Sequence, residues 1–301
     1  MVKLTEEEFK RYLEAGRIAV KVKEEIPRIS VPGARVLDVA ERIESLIRYY
    51  GGEPAFPVNI SIGSVAAHYT PTIEDRTTFP EEGLAKVDFG VHVDGYIVDT
   101  AITIDLGGSY SAILNAAREA LEKALQKVAP GISFREVGRV VEETAKRYSL
   151  KPVRNLSGHR IDRYRIHAGE SIPNYPESLV PWKFRDGGVY AIEPFITNGA
   201  GLVSEEKLVT IYSVKKSKIK ASEDEERVLR EASTRFRGLP FCARWLSDSG
   251  ENIEEILERL RGRGALHPYP VLTEISGGQV AQFEETVVIY RGTPYMITKR
   301  L

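Results

Sequence analysis

Hydrophobic residues recur at helical spacing along four stretches of the chain. The predicted helices run from Thr5 to about Pro27, from Val36 to Tyr50, from Ser111 to Val128, and onward from a cap formed by Ser133 and Glu136. Thr5 with Glu8 has the spacing of a capping box, which satisfies the free backbone amides at a helix start. Gly51-Gly52 suits the end of the second helix, because glycine adopts a left-handed backbone without a steric penalty.

Alternating apolar and polar residues predict strands elsewhere. These segments cover 86–105, 189–197, 207–212, 279–290 and 294–298. In the first of them, Asp94-Gly95 is a strong signal for a two-residue hairpin turn. Pairing outward from that turn places Asp99 opposite Gly90, with Asp88 as a diagonal neighbour about 7 to 8 Å away on the same face. A one-residue bulge would change this register.

The chain carries a faint internal duplication, in which Pro32-Gly33 recurs as Pro130-Gly131 at an offset of 98 residues. Each unit is a proline-glycine turn, a helix and an extended stretch, followed at similar spacing by a histidine, His68 or His167. Two related halves that face each other would bring their strands around one shared site. The mixture of helices and strands predicts an α+β fold.

Residues 215–268 interrupt this pattern, since they begin with a run of mixed charge and contain two further helical stretches. They are predicted to form an inserted helical subdomain, and residues 1–214 and 269–301 the catalytic domain. A basic cluster opens the insert and consists of Lys215, Lys216, Lys218 and Lys220. It is interpreted as a solvated surface, with a weak contact to ribosomal RNA as the alternative.

The charge of the chain gives no general reason to expect nucleic-acid or membrane binding, because 42 lysines and arginines nearly balance 43 aspartates and glutamates. No apolar run approaches the roughly 20 residues of a membrane span, and the polar start lacks the apolar segment of a signal peptide. We therefore expect a cytoplasmic protein. The one cysteine, Cys242, excludes an internal disulfide and a cysteine metal site.

Four carboxylates and one imidazole lie beside strand-like segments: Asp88, Asp99, His159, Glu193 and Glu284. Such a set suits a pair of divalent cations and predicts metal-assisted hydrolysis. Glu193 stands among apolar neighbours, where an unpaired carboxylate would be costly. Strand alternation allows only one of Glu284 and Glu285 to face the site, and spacing alone does not choose between them. His92 lies about 13 Å along the strand from Asp88 and is interpreted as structural.

Longer motifs surround these residues and continue along the chain. They are Ala66-Ala67-His68-Tyr69-Thr70-Pro71, Asp88 to Tyr96, Gly158-His159, His167-Ala168-Gly169, Ile192-Glu193-Pro194-Phe195, Gln282-Phe283-Glu284, and in or beside the insert Phe241 to Leu246 and Pro268-Tyr269-Pro270. These motifs resemble those of the methionine aminopeptidases, specifically the type 2 branch with its pita-bread fold of pseudo-twofold halves. The resemblance covers essentially the whole chain. Glu285 departs from the family, which often has histidine there.

The resemblance implies two divalent metal ions, Co, Mn, Fe or Zn, with Asp99 and Glu284 shared between them. Asp88 would complete one coordination shell, and His159 with Glu193 the other. By the same resemblance Glu193 would transfer the proton. His167 would hydrogen-bond the developing oxyanion, and His68 would contact the peptide just beyond the scissile bond.

The resemblance also implies an apolar pocket for the methionine side chain, lined by Phe56, Ile166 and Tyr269. A small second residue would be preferred. The expected function is removal of the initiator methionine from the N-termini of nascent polypeptides by a monomeric enzyme. The alternatives are a prolidase or proline-specific aminopeptidase on the same fold, and a non-catalytic relative that binds protein or RNA.

Overall fold

A computed structural model describes residues 4–217, 219–249 and 252–299. The helices are α1 (Glu6–Ile29), α2 (Val36–Tyr49), α3 (Ser111–Leu125), α4 (Phe134–Arg147), α5 (Glu223–Phe236) and α6 (Ile253–Gly262), with a 3-10 helix at Ala243–Ser249. The predicted capping box of Thr5 and Glu8 is present at the start of α1. This helix continues past Pro27, because Ile26 is fully buried and its carbonyl accepts the amide of Ser30 at 2.9 Å. The third helix ends three residues earlier than predicted, at Leu125.

The strands form four small sheets. They are β1 (Glu53–Pro54), β2 (Asn59–Ile62), β3 (Val65–Ala67), β4 (Gly83–Val93), β5 (Tyr96–Leu106), β6 (Lys151–Pro152), β7 (Ser157–Ile161), β8 (Ser171–Pro173), β9 (Val189–Ile192), β10 (Phe195–Thr197), β11 (Val203–Val214), β12 (Leu266–Glu274), β13 (Val280–Gln282), β14 (Glu285–Tyr290) and β15 (Thr293–Met296). In the first sheet β4 pairs with β1, β2 and β5, and in the largest the order is β15-β14-β9-β7-β8. The predicted strands at 189–197 and 279–290 are each broken in two, at Glu193-Pro194 and at Phe283-Glu284.

The predicted hairpin register is confirmed. Strands β4 and β5 pair without a bulge around Asp94-Gly95, and Asp99 lies opposite Gly90. Asp94 has a φ of 52° and Gly95 of 84°, as a tight hairpin turn of this kind requires. The two aspartates of the hairpin therefore share one face of the sheet.

The duplication is visible in the structure at the same offset. Helix α2 and strand β1 of the first half correspond residue for residue to α4 and β6 of the second. Each half has its own hydrophobic core: one joins α1 and α2 to β4 and β5, and the other joins α3 and α4 to β9 and β14. The site described below lies where these halves meet.

The interrupting segment is helical, as predicted, and connects the antiparallel strands β11 and β12. Apolar residues of α5 and α6, such as Leu229 and Leu257, join the core of the first half. Strand β12 was not predicted, and it begins at Leu266, so the expected boundary at residue 268 falls inside it. The division into two domains stays a prediction. Lys218 of the basic cluster lies outside the described residues.

In the described part of the chain, no helix is both long enough and apolar enough to cross a membrane.

Candidate active site

One cavity of about 460 Å³ gathers every residue that the sequence singled out for metal or substrate. Its lining includes Phe56, His68, Asp88, Asp99, His159, Ile166, His167, Glu193, Tyr269 and Glu284. Asp88, Asp99, His159 and Tyr269 lie in strands β4, β5, β7 and β12, and the other six lie in the connections between strands. The site is therefore built by the tertiary structure from segments almost 230 residues apart, from Phe56 to Glu284.

Backbone pairing brings Asp99 and Glu284 together. Glu284 forms an isolated bridge with Ala101, whose carbonyl accepts the Glu284 amide at 3.1 Å. The hydroxyl of Thr286 accepts the amide of Asp99 and donates to its carbonyl, each at 2.7 Å. These bonds fix β5 against the start of β14. The two carboxylates consequently lie close together in the protein interior, with Asp99 4% and Glu284 1% exposed.

His159 completes a compact group with them. It lies in β7 opposite Ala191 of β9, and its Nε2 is 3.5 Å from carboxylate oxygens of both Asp99 and Glu193. Glu193 follows β9 directly and ends that strand beside Pro194. Single ligand atoms of Asp99, His159 and Glu284 all lie within 4.8 Å of one another, a spacing suited to a shared cation.

The choice between the two adjacent glutamates, which spacing left open, is made by the environment of each. Glu285 points away from the cavity, where the Nζ of Lys23 donates to it at 3.0 Å and the Thr298 hydroxyl donates at 2.5 Å. Glu284 lines the cavity. His92 lies outside the cavity lining, and its Nδ1 accepts the amide of Gly95 at 3.2 Å, which agrees with a structural role.

Burial makes the ionised form of these carboxylates costly. It raises the pKa of Asp88 well above its usual range, and the neighbouring Asp99 raises it further. The pKa values of Glu193 and Glu284 are raised in the same direction, first by burial and then by Asp99. Such a cluster of like charges needs protons or cations to balance it.

The cluster contains unpaired oxygen and nitrogen atoms that suit divalent cations as ligands. Among the described residues, Asp88 Oδ1, Asp99 Oδ1, His159 Nδ1 and Glu284 Oε1 are buried atoms without a hydrogen-bond partner. Buried polar atoms are rarely left unpaired, so the atoms call for a ligand that is not part of the polypeptide. Carboxylate and imidazole donors together suit first-row divalent metals.

Two further histidines stand beside the cluster. His68 Nδ1 is 3.1 Å from the carbonyl oxygen of Pro270, and burial lowers the pKa of His68 to about 4. The ring of His167 lies edge-on to that of His159, with centroids 4.5 Å apart. The side chain of His167 is open to the cavity, but the protein around it limits its contact with water. This desolvation, followed by the neighbouring His159, lowers the pKa of His167 well below its ordinary value. Both rings are therefore neutral at neutral pH.

Several residues in or beside the cavity were not assigned a role from the sequence. Gln282 donates from Nε2 to both Glu193 and Glu284, at 3.3 Å each, and so links two of the carboxylates. Asn59 pairs with Asp88 across β2 and β4. His267 lines the cavity with its ring 4.9 Å from that of Tyr269. Gln282 lies inside the motif Gln282-Phe283-Glu284 and His267 directly precedes Pro268-Tyr269-Pro270, whereas nothing in the sequence marked Asn59.

A family model places the chain. The model described as metallopeptidase family M24 matches residues 10–290, and the chain belongs to that family. Curated relatives named methionine aminopeptidase are 44% identical in Saccharolobus solfataricus, over 99% of this chain and 100% of the relative, and 43% identical in Thermococcus onnurineus, over 95% and 98%.

Solved structures share the fold at low identity. A thermophilic Arx1 matches with a TM-score of 0.85 at 18% identity, covering 99% of this chain and 92% of that one. A methionine aminopeptidase from Thermotoga maritima matches with a TM-score of 0.72 at 21% identity over the whole of both chains. The prolidase from Pyrococcus furiosus gives 0.63 at 20%, covering 100% of this chain and 66% of that one.

These findings confirm the predicted family, the pita-bread fold and the expected class of activity, a methionine aminopeptidase that hydrolyses peptides with the help of metal. The buried Asp99, His159 and Glu284 are a group able to bind metal. The number of ions and the roles of the individual residues stay predictions.

Proposed function

We propose that the protein removes the initiator methionine from the N-termini of nascent polypeptides, at a site that holds two divalent metal ions. The observation that carries the proposal is the convergence of all ten residues implied by the family resemblance on one cavity. The high identity to methionine aminopeptidases over nearly the whole chain supports it.

In this proposal Asp99 and Glu284 would be ligands of both ions, as the family resemblance implies. Asp88 would be a ligand of one ion, and His159 with Glu193 of the other. Co, Mn, Fe and Zn are all candidates, since carboxylate-rich sites accept several of these ions. Bound there, the ions would polarise the scissile carbonyl and acidify the attacking water.

Glu193 accepts the proton of that water and returns it to the leaving amine. A general acid-base group works best with a pKa near the operating pH. In the metal-free protein, burial and Asp99 raise the pKa of Glu193, whereas a bound cation would lower it. Gln282 holds one of its oxygens in place.

The hydrogen bonds of His68 and His167 follow from their neutral state. A carbonyl can only accept, so His68 Nδ1 carries the proton toward Pro270, and Nε2 is left as an acceptor. It suits an N–H group of the substrate just beyond the scissile bond. A neutral His167 has one N–H to donate, which suits the oxygen that gains negative charge during attack.

Phe56, Ile166 and Tyr269 belong to the apolar part of the cavity lining and receive the methionine side chain in this proposal. A preference for Gly, Ala or Ser as the second residue is carried over from the family resemblance. The enzyme acts as a cytoplasmic monomer, with transient ribosome contact as its route to nascent chains.

Peptide selectivity tests the proposed function. Purified protein reconstituted with Co(II), Mn(II), Fe(II) or Zn(II) should release methionine from a Met-Gly peptide and act far less on the matched Met-Lys peptide. Cleavage of Xaa-Pro peptides with Met-Gly left intact would instead support a prolidase on the same fold. Protein that binds the ions but cleaves neither peptide would support a non-catalytic relative.

A substitution at Gly90, which packs against Phe56, tests the proposed methionine pocket. A Cβ at this position would lie 2.5 Å from Cε1 of Phe56 and 2.8 Å from Cβ of Ala55. Gly90→Ala should therefore push the Phe56 ring into the cavity and raise KM for Met-Gly peptides several-fold. Overpacking of this kind also lowers the free energy of unfolding by about 1–3 kcal/mol.

The matched control is Gly52→Ala. Its Cβ would lie 2.8 Å from Cγ1 of Val91, the residue next to Gly90, but outside the cavity. It should lower stability with little change in KM. Equal changes in KM for the two variants would argue against Phe56 as part of the substrate pocket.

A further inference from the structure

Among the described residues of the helical segment between β11 and β12, only Pro240 lines the cavity, yet the side chain of Arg244 binds the loop next to the site. Arg244, in the 3-10 helix, is 8% exposed. Its Nε donates to the carbonyl of Pro71 at 2.8 Å, and its Nη2 donates to the Thr70 hydroxyl at 3.1 Å. Both acceptors belong to the loop that leaves His68.

Glu44 of α2 binds the other side of this guanidinium. Two parallel bonds, of 3.0 and 2.9 Å, join Nη1 and Nη2 of Arg244 to the two carboxylate oxygens. The same carboxylate accepts the indole N–H of Trp245 at 2.9 Å and the amide of Val58 at 3.3 Å. Val58 lies between Phe56 and Asn59, both of which line the cavity. One buried ion pair thus ties together α2, the cavity wall and the loop of His68.

His68 needs such support because its backbone is unfavourable. Its φ is 65°, in the left-handed region that non-glycine residues seldom adopt. A residue in that region persists only when its surroundings hold it there. On one side the imidazole is bonded to Pro270. On the other, the chain after it is fixed by Arg244 at Thr70 and Pro71.

We propose that Arg244 and Glu44 form a positioning pair that holds the His68 loop in its active conformation, so that the helical segment contributes to catalysis through His68. The inference rests on the proposed function of His68. A buried ion pair is by itself weak evidence for a gain in stability. Apart from the bonds between Arg244 and Glu44 and the bond from the neighbouring Trp245, the hydrogen bonds of these two side chains go to segments that carry cavity residues. A positioning role requires such an arrangement.

A double-mutant cycle tests the proposal. Arg244→Lys keeps the charge but loses the planar fork that binds Glu44, Thr70 and Pro71 together. Misplacement of a substrate-contacting group by about 1 Å costs on the order of 100-fold, so we expect kcat/KM for Met-Gly peptides to fall about 10- to 100-fold. In a His68→Ala background the same substitution should have little further effect, because the group that it positions is gone.

The matched control is Arg259→Lys, which alters another ion pair of the same helical segment, that of Arg259 with Glu225 at 3.2 Å. It should leave kcat/KM unchanged in both backgrounds. Calorimetric titration with Mn(II) should give the same affinity for wild type and Arg244→Lys. An equal fall of kcat/KM in the presence and absence of His68 would overturn the proposal and leave Arg244 a purely structural residue.

A readout independent of activity separates this inference from the proposed function. In histidine-labelled protein, the ring-nitrogen NMR shifts of His68 report the proton on Nδ1. Arg244→Lys should shift that signal and Arg259→Lys should not, whether or not the peptide is cleaved. If Arg244→Lys does not fold, Thr70→Val removes one bond of the guanidinium without leaving a buried charge, and the same shift is expected. An unchanged His68 signal in a folded variant would refute the positioning role.

Discussion

Glu284→Gln is expected to lose the shared metal position and to lower kcat/KM for a Met-Gly peptide by about 10³-fold. Removing the charge of a ligand weakens binding of the cation, and the cation supplies several kcal/mol of transition-state stabilisation, at 1.36 kcal/mol for each factor of ten. Glutamine has the same shape, and Gln282 can still approach it, so the loss reports charge rather than packing. Metal content by atomic emission and steady-state kinetics would measure the two effects.

The adjacent Glu285→Gln is the matched control, since both substitutions neutralise a glutamate at neighbouring positions. Glu285 faces Lys23 rather than the cavity. The variant should retain metal and activity, while Tm falls because the side chain of Lys23, only 16% exposed, loses its charged partner. Loss of metal from Glu285→Gln, with Glu284→Gln active, would reverse the assignment of the last ligand.

Removal of the metals by a chelator is expected to abolish activity. The free energy of unfolding of the metal-free protein is expected to decrease as pH rises. Without cations the buried carboxyls of Asp88, Glu193 and Glu284 have raised pKa values, chiefly because of burial. Above the ordinary value of 4.5 for Glu193, the folded state holds protons that the unfolded state has released. The free energy of unfolding then decreases with increasing pH.

The metal-loaded protein should behave in the opposite way, because cations bind the ionised carboxylates and affinity increases as the protons leave. The difference in Tm between loaded and chelated protein should therefore widen from about pH 5 to pH 8, as measured by scanning calorimetry. Asp88→Asn removes one of the titrating groups and should reduce the slope for the chelated protein. A difference that stays constant over this range would contradict the account of the cluster.

The local elements were predictable where short-range chemistry decides them. The capping box at Thr5 and the hairpin at Asp94-Gly95 depend on residues three or fewer positions apart, and both were found as expected. Strand β12 was missed because it contains two prolines, Pro268 and Pro270, and its pairing with β11 is irregular. Its stability comes from long-range contacts that periodicity does not reveal.

The choice between Glu284 and Glu285, at the start of β14, shows the limit most clearly. Strand alternation required one of the two adjacent glutamates to face the site. Glu285 is identified as the one that points away by its hydrogen bonds to Lys23, which is 262 residues away in the chain, and to Thr298, which is 13 residues away. The hydrogen bonds of Arg244 to Glu44 could not be predicted from the sequence either, since Glu44 is 200 residues distant in the chain.

The sequence by itself determined the helices, the hairpin that sets Asp88 beside Asp99, the duplicated halves and, through its motifs, the family. Each of these depends on residues that are close in the chain or on sequence motifs that can be compared directly. The tertiary structure decided that the carboxylates and histidines share one cavity, which of their atoms lack partners, and how burial shifts their pKa values. These properties depend on desolvation and on charges brought together across the fold, and a linear pattern holds no record of either.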